Sequence, residues 1–362
     1  MTTPEAASAT ASIVMSAEAA RGFAASLVAS RGVPARDAET TARCLVRADL
    51  RGVDTHGIVR LPGYLDRISR GLVTAVPDLA PRQISACVQH LDGQDALGFV
   101  VATRAMAAAI EMARENGIGL VGVSRSTHYG MAANYVLQAA EAGFGSFVFT
   151  NASPAMPPWG GRAALLGTSP FAAGLPNPGG GLPFILDMAP SVAARGKIRK
   201  AAREGRSIPE GFALDAEGRN TTDPEAALKG VVLPMGGPKG SGLSMLMDLL
   251  CGVLTGAAFA GNVGDQYKHY ERPQNVGHFI MAFRPDLFID AESYIQRMNT
   301  LVETIKQNPT AEGFDEIMIP GEPESRNEAK RLREGISYRR DDLAPLCELA
   351  KEAGLPVPPQ LA

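Results

Sequence analysis

Two histidines in the sequence stand beside residues that suit acid–base chemistry or anion binding. His56 lies in the segment DTHGIVR of residues 54–60, four residues before Arg60 and directly after a predicted helix. Residues four apart share one face of a helical turn, so an imidazole and a guanidinium placed there can bind one carboxylate-bearing ligand. The alternative is structural, with His56 capping the helix and Arg60 pairing with Asp54 at the surface.

The second candidate is His128, in the segment STHYG of residues 126–130. It lies between a predicted strand and a helix that begins near Met131, a junction from which a side chain can reach a cleft. Histidine, with an ordinary pKa of about 6.5, suits proton transfer near neutral pH. The alternative is a histidine with purely structural hydrogen bonds. The other histidines lack ligand spacing to a second His, a Cys or a carboxylate, so we predict no metal site. They are His90, His269 and His278.

Glycine and proline are concentrated in two regions of the chain. Many of the 39 Gly and 26 Pro fall within residues 151–181 and 236–242. The second region, GGPKGSG, precedes a predicted helix and offers backbone N–H groups, a helix N-terminus and Lys239, which together favour an anion such as phosphate. A structural turn is the alternative. The region lacks the G-x-x-x-x-G-K-[ST] spacing of a Walker loop.

A third glycine run, GIGLVG at residues 117–122, imitates the dinucleotide-binding fingerprint G-x-G-x-x-G, and Glu141 follows at a suitable distance. That fingerprint must follow a strand and open a helix. Here a predicted helix comes first and a strand begins within the run. We therefore interpret these glycines as a helix C-cap and a tight loop, not as a nucleotide site.

Local patterns place helices at both ends of the chain and strands in the middle. Periodicity predicts helices at 16–31, 35–51, 61–70, 99–116, 131–142, 191–204, 241–259, 291–307 and 327–351, and strands at 120–123, 146–150, 182–187, 231–235 and 278–283. The helix 241–259 is apolar on almost every face, which predicts that it is buried. We expect an α/β fold in which residues 1–85 and 290–362 form one helical domain and residues 86–289 form a sheet domain.

Composition excludes several classes of protein. The 35 basic and 38 acidic residues give a net charge of −3, so we predict no nucleic-acid partner. The longest apolar stretch, 243–259, contains Asp248 and is shorter than the roughly 20 residues of a membrane span. Residues 1–15 lack the basic start and apolar block of a secretory signal. The four cysteines are widely spaced, which favours a reducing, cytoplasmic location.

Taken jointly, these segments resemble the malate/L-lactate dehydrogenase family of the second, non-Rossmann type, which includes ureidoglycolate dehydrogenase, diketogulonate reductase, sulfolactate dehydrogenase and piperideine-2-carboxylate reductase. The matching segments are ADLRGVDTHG at 48–57, THYG at 127–130, GG at 160–161, LGTSP at 166–170, LDMA at 186–189, PKGSGL at 238–243 and PGE at 320–322. The resemblance covers the chain from about residue 16 to its end.

The resemblance implies an NAD(P)-dependent oxidoreductase that transfers a hydride between nicotinamide and C2 of a small 2-hydroxy or 2-oxo carboxylate. It implies a homodimer whose cofactor lies on a mixed, non-Rossmann sheet, in a cleft between the two domains. It gives acid–base catalysis to His128 and His56, and substrate binding to Arg60, Thr55 and Arg51. The positions it gives to the cofactor are Ser153, Thr168, Asp187, Met188, Lys239, Gly240, Pro320, Gly321 and Glu322.

Several points stay open at this stage. Thr55 and Ser169 replace the serine and asparagine usual in the family, without removing an ionisable group. NAD is preferred to NADP, although Arg162 or Arg195 would suit a 2′-phosphate. A reductase of a cyclic 2-imino carboxylate is the alternative enzyme. A non-catalytic nucleotide-binding homologue is the alternative from a different class, and the presence of both histidines favours an enzyme.

Overall fold

A computed structural model of the chain describes residues 12–361. The prediction that residues 1–15 are not a secretory signal falls mostly on residues 1–11, which lie outside the described residues. The helices are α1 Ala17–Ala29, α2 Ala35–Leu50, α3 Leu61–Ser69, α4 Gly98–Asn116, α5 Ala133–Glu141, α6 Arg195–Arg203, α7 Pro224–Lys229, α8 Pro238–Asp248, α9 Ala291–Lys306, α10 Glu322–Glu334 and α11 Arg340–Glu352. The strands are β1 Ser12–Met15, β2 Arg82–Ser85, β3 Val88–Asp92, β4 Ile118–Ser126, β5 Gly145–Thr150, β6 Pro154–Met156, β7 Leu166–Gly167, β8 Phe171–Leu175, β9 Phe184–Met188, β10 Ala213–Leu214, β11 Asn220–Thr221, β12 Val231–Val232, β13 Val276–Phe283 and β14 Ile336–Arg339.

The described residues pack into two compact units. The helical unit comprises the residues up to Ser69 and from Glu324 onward, and the sheet unit comprises Arg70–Pro323. Residues 70–85 and 290–323 thus belong to the sheet unit, whereas the sequence predicts them in the helical domain. Two contacts account for the difference: β2 pairs with β3, and Asn299 in α9 accepts a hydrogen bond from Asn177 at 3.2 Å. Neither pairing has a local signal in the sequence.

In the helical unit, the two ends of the chain meet as a pair of short strands. β1 and β14 are antiparallel, with Met15 opposite Ile336. The sequence prediction of one charged helical segment over 327–351 is therefore wrong. α10 ends at Glu334, the following Gly335 has a φ of +86° in the left-handed region, and β14 separates α10 from α11. A Cβ atom at Gly335 would lie 2.5 Å from Cγ1 of Val14 in β1, so the glycine also permits the strands to approach.

The sheet unit is built on a mixed seven-stranded sheet with the order β2-β3-β4-β13-β5-β8-β9. β3 and β4 are parallel, and the other neighbours are antiparallel. This confirms the predicted mixed, non-Rossmann α/β fold. The strand directions bring the last residues of β4, β5 and β9 and the first residues of β8 and β13 to the same end of the sheet. We call this end of the sheet, where β4 ends, the β4-end edge.

The glycine run at 117–122 has the conformation that the sequence predicts. Gly117 has a φ of +84° and donates to the carbonyl of Ala113 at 2.8 Å, which ends α4. β4 then begins at Ile118, inside the run. Because no helix opens here, the run offers no N–H groups of a helix start to a pyrophosphate.

The prediction of a buried helix over 241–259 is wrong in both extent and burial. α8 ends at Asp248 and is followed by a π-helical turn, Leu249–Val253. Leu249 is 55% exposed and Leu254 is 66% exposed. The apolar residues of α8 and the π-helical turn are therefore only partly covered by this chain. The exposed face also includes Leu246 and Val253.

Within residues 12–361, no helix is both long enough and apolar enough to cross a membrane. Over the same residues, no three His, Cys, Asp or Glu side chains are grouped as a metal site would require. Cys44, Cys87, Cys251 and Cys347 are free thiols.

Candidate active site

The structure places His128 at the predicted strand-to-helix junction, two residues beyond the end of β4. Its backbone N–H donates to Oε1 of the buried Gln274 at 3.2 Å, and the N–H of Gly130 donates to Nδ1 of its ring at 3.3 Å. The preceding Thr127 is buried and its hydroxyl accepts from the N–H of Gly98 at 2.9 Å. Hydrogen bonds on both sides of His128 thus orient the ring at the β4-end edge.

A histidine in β13, His278, supports this turn from within the sheet. It is fully buried and stacks on the ring of Tyr129, with 4.7 Å between centroids and an interplanar angle of 7°. Its Nδ1 lies 2.8 Å from Oγ1 of Thr150, and its Nε2 lies 2.8 Å from Oγ of Ser126. The Thr150 hydroxyl also donates to backbone carbonyls, and the Ser126 hydroxyl donates to the carbonyl of Thr127. The imidazole therefore joins β13 to β4 and β5 beside His128.

Burial lowers the pKa of His278 to about 3. An unfolded histidine titrates near 6.5, so the unfolded chain binds a proton that the folded chain excludes as pH falls from about 6.5 towards 3. The stabilising contribution of neutral His278 is present above pH 6.5 and is lost in that interval. We expect His278→Gln to flatten the acid side of the profile of unfolding free energy against pH, measured by chemical denaturation. Parallel profiles for the two proteins would contradict this assignment.

Four positions that the resemblance gives to the cofactor lie at or beside the same β4-end edge. Ser153 follows β5, Thr168 precedes β8, and Asp187 and Met188 end β9. The Oδ2 atom of Asp187 accepts from the N–H of Ala133, the first residue of α5, at 2.7 Å. That hydrogen bond joins β9 to the segment that carries His128.

The loop before α8 packs its backbone against the segment that follows β9. Gly236 and Gly237 have φ values of +57° and +62°, which suit glycine. A Cβ atom at Gly240 would lie 2.5 Å from the carbonyl oxygen of Pro190, so only glycine allows this approach. Lys239 is exposed beside it. The structure therefore places Gly240, with Lys239 beside it, against Pro190. Pro190 follows the end of β9, which carries Asp187 and Met188.

The Pro-Gly-Glu segment lies along the free edge of β9. The carbonyl of Pro320 accepts from the N–H of Ile185 at 3.0 Å, and Gly321, with a φ of +90°, lies against the same residue. Glu322 is buried, and both of its carboxylate oxygens lie 2.8 Å from Nζ of Lys306. The ion pair holds this turn in place, which corrects the expected cofactor role of the Glu322 side chain to a structural one.

In the helical unit, residues 54–60 form two short 3-10 turns separated by Gly57. The Nε of Arg60 donates to the carbonyl of Thr55 at 2.6 Å, and the Thr55 hydroxyl lies 3.0 Å from Nδ1 of His56. The structure thus gathers these three residues. The alternative pairing of Arg60 with Asp54 is not observed, because Asp54 forms its ion pair with Arg331.

Burial, together with the positive charge of Arg60, lowers the pKa of His56 to about 4. His56 is therefore neutral at neutral pH. A general acid works best with a pKa near the working pH. This argues against His56 as the principal proton donor.

Arg51 has a structural partner. Its guanidinium is 3% exposed and donates through Nη1 to Oε2 of Glu328 at 2.7 Å. This buried ion pair ties the end of α2 to α10. We therefore revise the prediction for Arg51 from a substrate contact to a residue that holds the helical unit together.

The sequence does not single out four residues that hold the two turns described above: Asp49 and Tyr338 for residues 54–60, and His278 and Gln274 for the turn of His128. Asp49 accepts hydrogen bonds from Ile58 and Tyr338, which lies 289 residues further along the chain. Such long-range pairs leave no local periodicity. The available signal was the type of residue, since a carboxylate within an otherwise apolar helical face demands a partner when buried.

The chain is similar to known proteins along most of its length. The family model for malate/L-lactate dehydrogenase matches residues 15–347. The L-sulfolactate dehydrogenase of Methanothermobacter thermautotrophicus is 38% identical over 326 residues, which cover 90% of this chain and 93% of that protein. The (2R)-3-sulfolactate dehydrogenase (NADP(+)) of Chromohalobacter salexigens is 36% identical, covering 90% and 93%. The ureidoglycolate dehydrogenase (NAD(+)) of Escherichia coli K12 is 35% identical, covering 86% and 88%.

Solved structures show the same fold. The sulfolactate dehydrogenase of Methanocaldococcus jannaschii superposes with a TM-score of 0.89 at 36% identity, covering 95% of this chain and 98% of that one. The delta1-piperideine-2-carboxylate reductase of Pseudomonas syringae gives a TM-score of 0.84 at 30% identity, covering 93% and 99%. The family match over most of the chain and these similarities in sequence and structure lead to one conclusion: the chain belongs to the malate/L-lactate dehydrogenase family.

Proposed function

We propose that the protein is an NAD(P)-dependent oxidoreductase that interconverts small 2-hydroxy and 2-oxo carboxylates. The observation that carries the proposal is that His128, Ser153, Thr168, Asp187 and Met188 all lie at one edge of the mixed sheet. The named relatives support it, since they are dehydrogenases of sulfolactate and ureidoglycolate, with NADP or NAD stated for two of them.

The residues around this edge fit a dinucleotide. A Cβ atom at Gly167 would lie 2.4 Å from the carbonyl oxygen of Ala152, and Gly240 is equally constrained, so the loops that carry Thr168 and Lys239 pack closely through their backbone. Lys239 and the start of α8 add positive charge that suits a pyrophosphate. We propose that Ser153, Thr168 and Lys239 hold the cofactor. When bound, the cofactor supplies the hydride for reduction at C2 of the oxo acid.

The protein's own residues supply the proton and the binding of the carboxylate. In reduction, we propose that the imidazole of His128 gives a proton to the oxygen on C2, and in oxidation it takes that proton back. A positively charged imidazole also stabilises the negative charge that develops on this oxygen. Arg60 binds the carboxylate, because a guanidinium can donate two parallel hydrogen bonds to its oxygens. Neutral His56 and the Thr55 hydroxyl add polar contacts to the substrate.

A panel assay tests the function. Small 2-oxo acids, among them oxaloacetate, pyruvate and 3-sulfopyruvate, are offered with NADH and then with NADPH, and oxidation of the cofactor is followed by absorbance. We expect turnover of at least one oxo acid and a preference for NADH. Turnover of cyclic imino acids alone would favour the alternative reductase, which the structural similarity to the piperideine-2-carboxylate reductase makes the second candidate. Binding of cofactor without turnover of any compound would favour the non-catalytic homologue.

We also propose that the enzyme is a homodimer formed through the exposed apolar face of α8 and the π-helical turn. Leu246, Leu249 and Val253 recur at the spacing of one helix face, and Leu254 extends it. Contiguous exposed apolar surface of this kind usually marks an interface. A second copy is the occupant that the family resemblance implies, and a twofold dimer would pair this face with itself.

The double variant Leu249→Glu/Val253→Glu tests the interface. Burying four carboxylates in a twofold interface is strongly unfavourable, so we expect the variant to sediment at the mass of one chain and the wild type at twice that mass. Leu301→Glu is the control, because Leu301 is 57% exposed and lies on a different helix, α9. Dimers of the double variant, or monomers of the wild type, would contradict this interface.

A further inference from the structure

The turn that carries Thr55, His56 and Arg60 is held by a buried carboxylate. Asp49, in the last turn of α2, is 1% exposed, and its Oδ2 accepts from the N–H of Ile58 at 3.0 Å. Gly57, next to Ile58, lies so close that a Cβ atom there would be 1.5 Å from Oδ1 of Asp49. The carboxylate therefore occupies the space inside the bend between the two 3-10 turns.

The C-terminal part of the chain reaches the same carboxylate. The hydroxyl of Tyr338, in β14, donates to Oδ2 of Asp49 at 2.9 Å, and its side chain is buried. Arg331, in α10, donates to the backbone carbonyl of Asp49 and pairs with Asp54 at the start of the bend. α2, α10 and β14 thus meet at one group within the helical unit.

We propose that Tyr338 is a positioning residue for substrate binding, acting through Asp49 on the turn that holds Arg60 and His56. This rests on the proposed function, because it assigns the substrate carboxylate to Arg60. It extends that function by making the C-terminal strand β14 part of the substrate-binding apparatus, although Tyr338 itself touches neither substrate nor cofactor.

The chemistry of Asp49 explains why one hydroxyl matters. Burial raises the pKa of Asp49 to about 7, while hydrogen bonds from Ile58 and Tyr338 lower it, Asp54 raises it and Arg331 lowers it. The Oδ1 atom has no hydrogen-bond partner among the residues described. Without the Tyr338 hydroxyl, the carboxyl group of Asp49 loses one of the two hydrogen bonds that its Oδ2 atom accepts and is protonated more readily. A neutral carboxyl is a weaker acceptor for the Ile58 N–H, so the turn is held less firmly.

The test compares Tyr338→Phe with a matched control, Tyr294→Phe. Tyr294 lies in the sheet unit and donates its hydroxyl to the carbonyl of Pro176 at 2.7 Å, so both changes remove one tyrosine hydrogen bond. We expect Tyr338→Phe to raise KM for the oxo acid about tenfold, the effect of one lost hydrogen bond to a charged group, with kcat and the cofactor Kd nearly unchanged. The control is expected to match the wild type in all three quantities.

A second measurement does not depend on activity. Hydrogen–deuterium exchange of a peptide that contains Ile58 should be faster in Tyr338→Phe and unchanged in Tyr294→Phe. Equal exchange in all three proteins, or faster exchange with an unchanged KM, would overturn the positioning role. A wild type inactive on the whole panel would instead refute the proposed function, and the exchange result would still show whether Tyr338 holds the turn.

Discussion

Replacing His128 with alanine is expected to lower kcat for reduction of the oxo acid by about 100- to 10,000-fold, the usual contribution of general acid–base catalysis. The cofactor Kd should stay close to that of the wild type, because the cofactor positions that we propose lie in other loops. His128 stands on a turn whose backbone is bonded to Gln274 and whose ring accepts from Gly130. The bond to Gln274 is made by the backbone and is kept in His128→Ala, and the lost bond from Gly130 to the ring lies outside β4, so the variant should remain folded.

His56→Ala is the companion measurement. The depressed pKa of His56, about 4, keeps its ring neutral, so we expect a smaller loss of kcat than in His128→Ala. The profile of kcat against pH should change in His128→Ala and keep its wild-type form in His56→Ala. Near-normal turnover of His128→Ala together with an inactive His56→Ala would reverse the assignment of the proton donor.

Replacing Arg60 with lysine is expected to raise KM for the oxo acid about 100-fold. Lysine keeps the positive charge but cannot donate two parallel hydrogen bonds to a carboxylate, and one hydrogen bond to a charged group contributes about 1.5–3 kcal/mol. Lysine also lacks the Nε–H with which Arg60 bonds to the carbonyl of Thr55. Steady-state kinetics at saturating cofactor would measure this change directly.

Arg21→Lys is a suitable control for the arginine variant. Arg21 lies in α1 of the same unit and forms an exposed ion pair with Glu39. Exposed pairs contribute little to stability, so this variant should behave as the wild type. An Arg60→Lys enzyme with normal KM but reduced kcat would show that Arg60 acts in the chemical step and not in binding the carboxylate.

The sequence was informative wherever the determinants are local. Gly117 predicted the end of α4 because a left-handed C-cap needs only neighbouring residues, and this was enough to reject a misleading nucleotide fingerprint. The position of His128 at a strand-to-helix junction followed from the change in periodicity around residues 118–133. The family resemblance supplied the remaining site positions, which local patterns could not connect to one another.

The sequence failed where structure depends on distant partners. The apolar residues of α8 predicted burial, yet Leu249 and Leu254 are exposed, because local pattern cannot show whether an apolar face is covered by the same chain or by another. The helical pattern predicted over 327–351 misses β14, because its partner, β1, lies more than 300 residues away in the chain. The structural roles of the Asp49 carboxylate and the His278 imidazole could not be predicted for the same reason, since their partners come from remote segments.

The central claim is that the enzyme moves a hydride between nicotinamide C4 and C2 of a small oxo acid. Isotope transfer tests it most directly. Reduction of an accepted oxo acid with a cofactor carrying deuterium at both C4 positions should give a hydroxy acid with one deuterium at C2, detected by mass spectrometry. A product that contains no deuterium at C2, and acquires its hydrogen there from the solvent, would contradict the account.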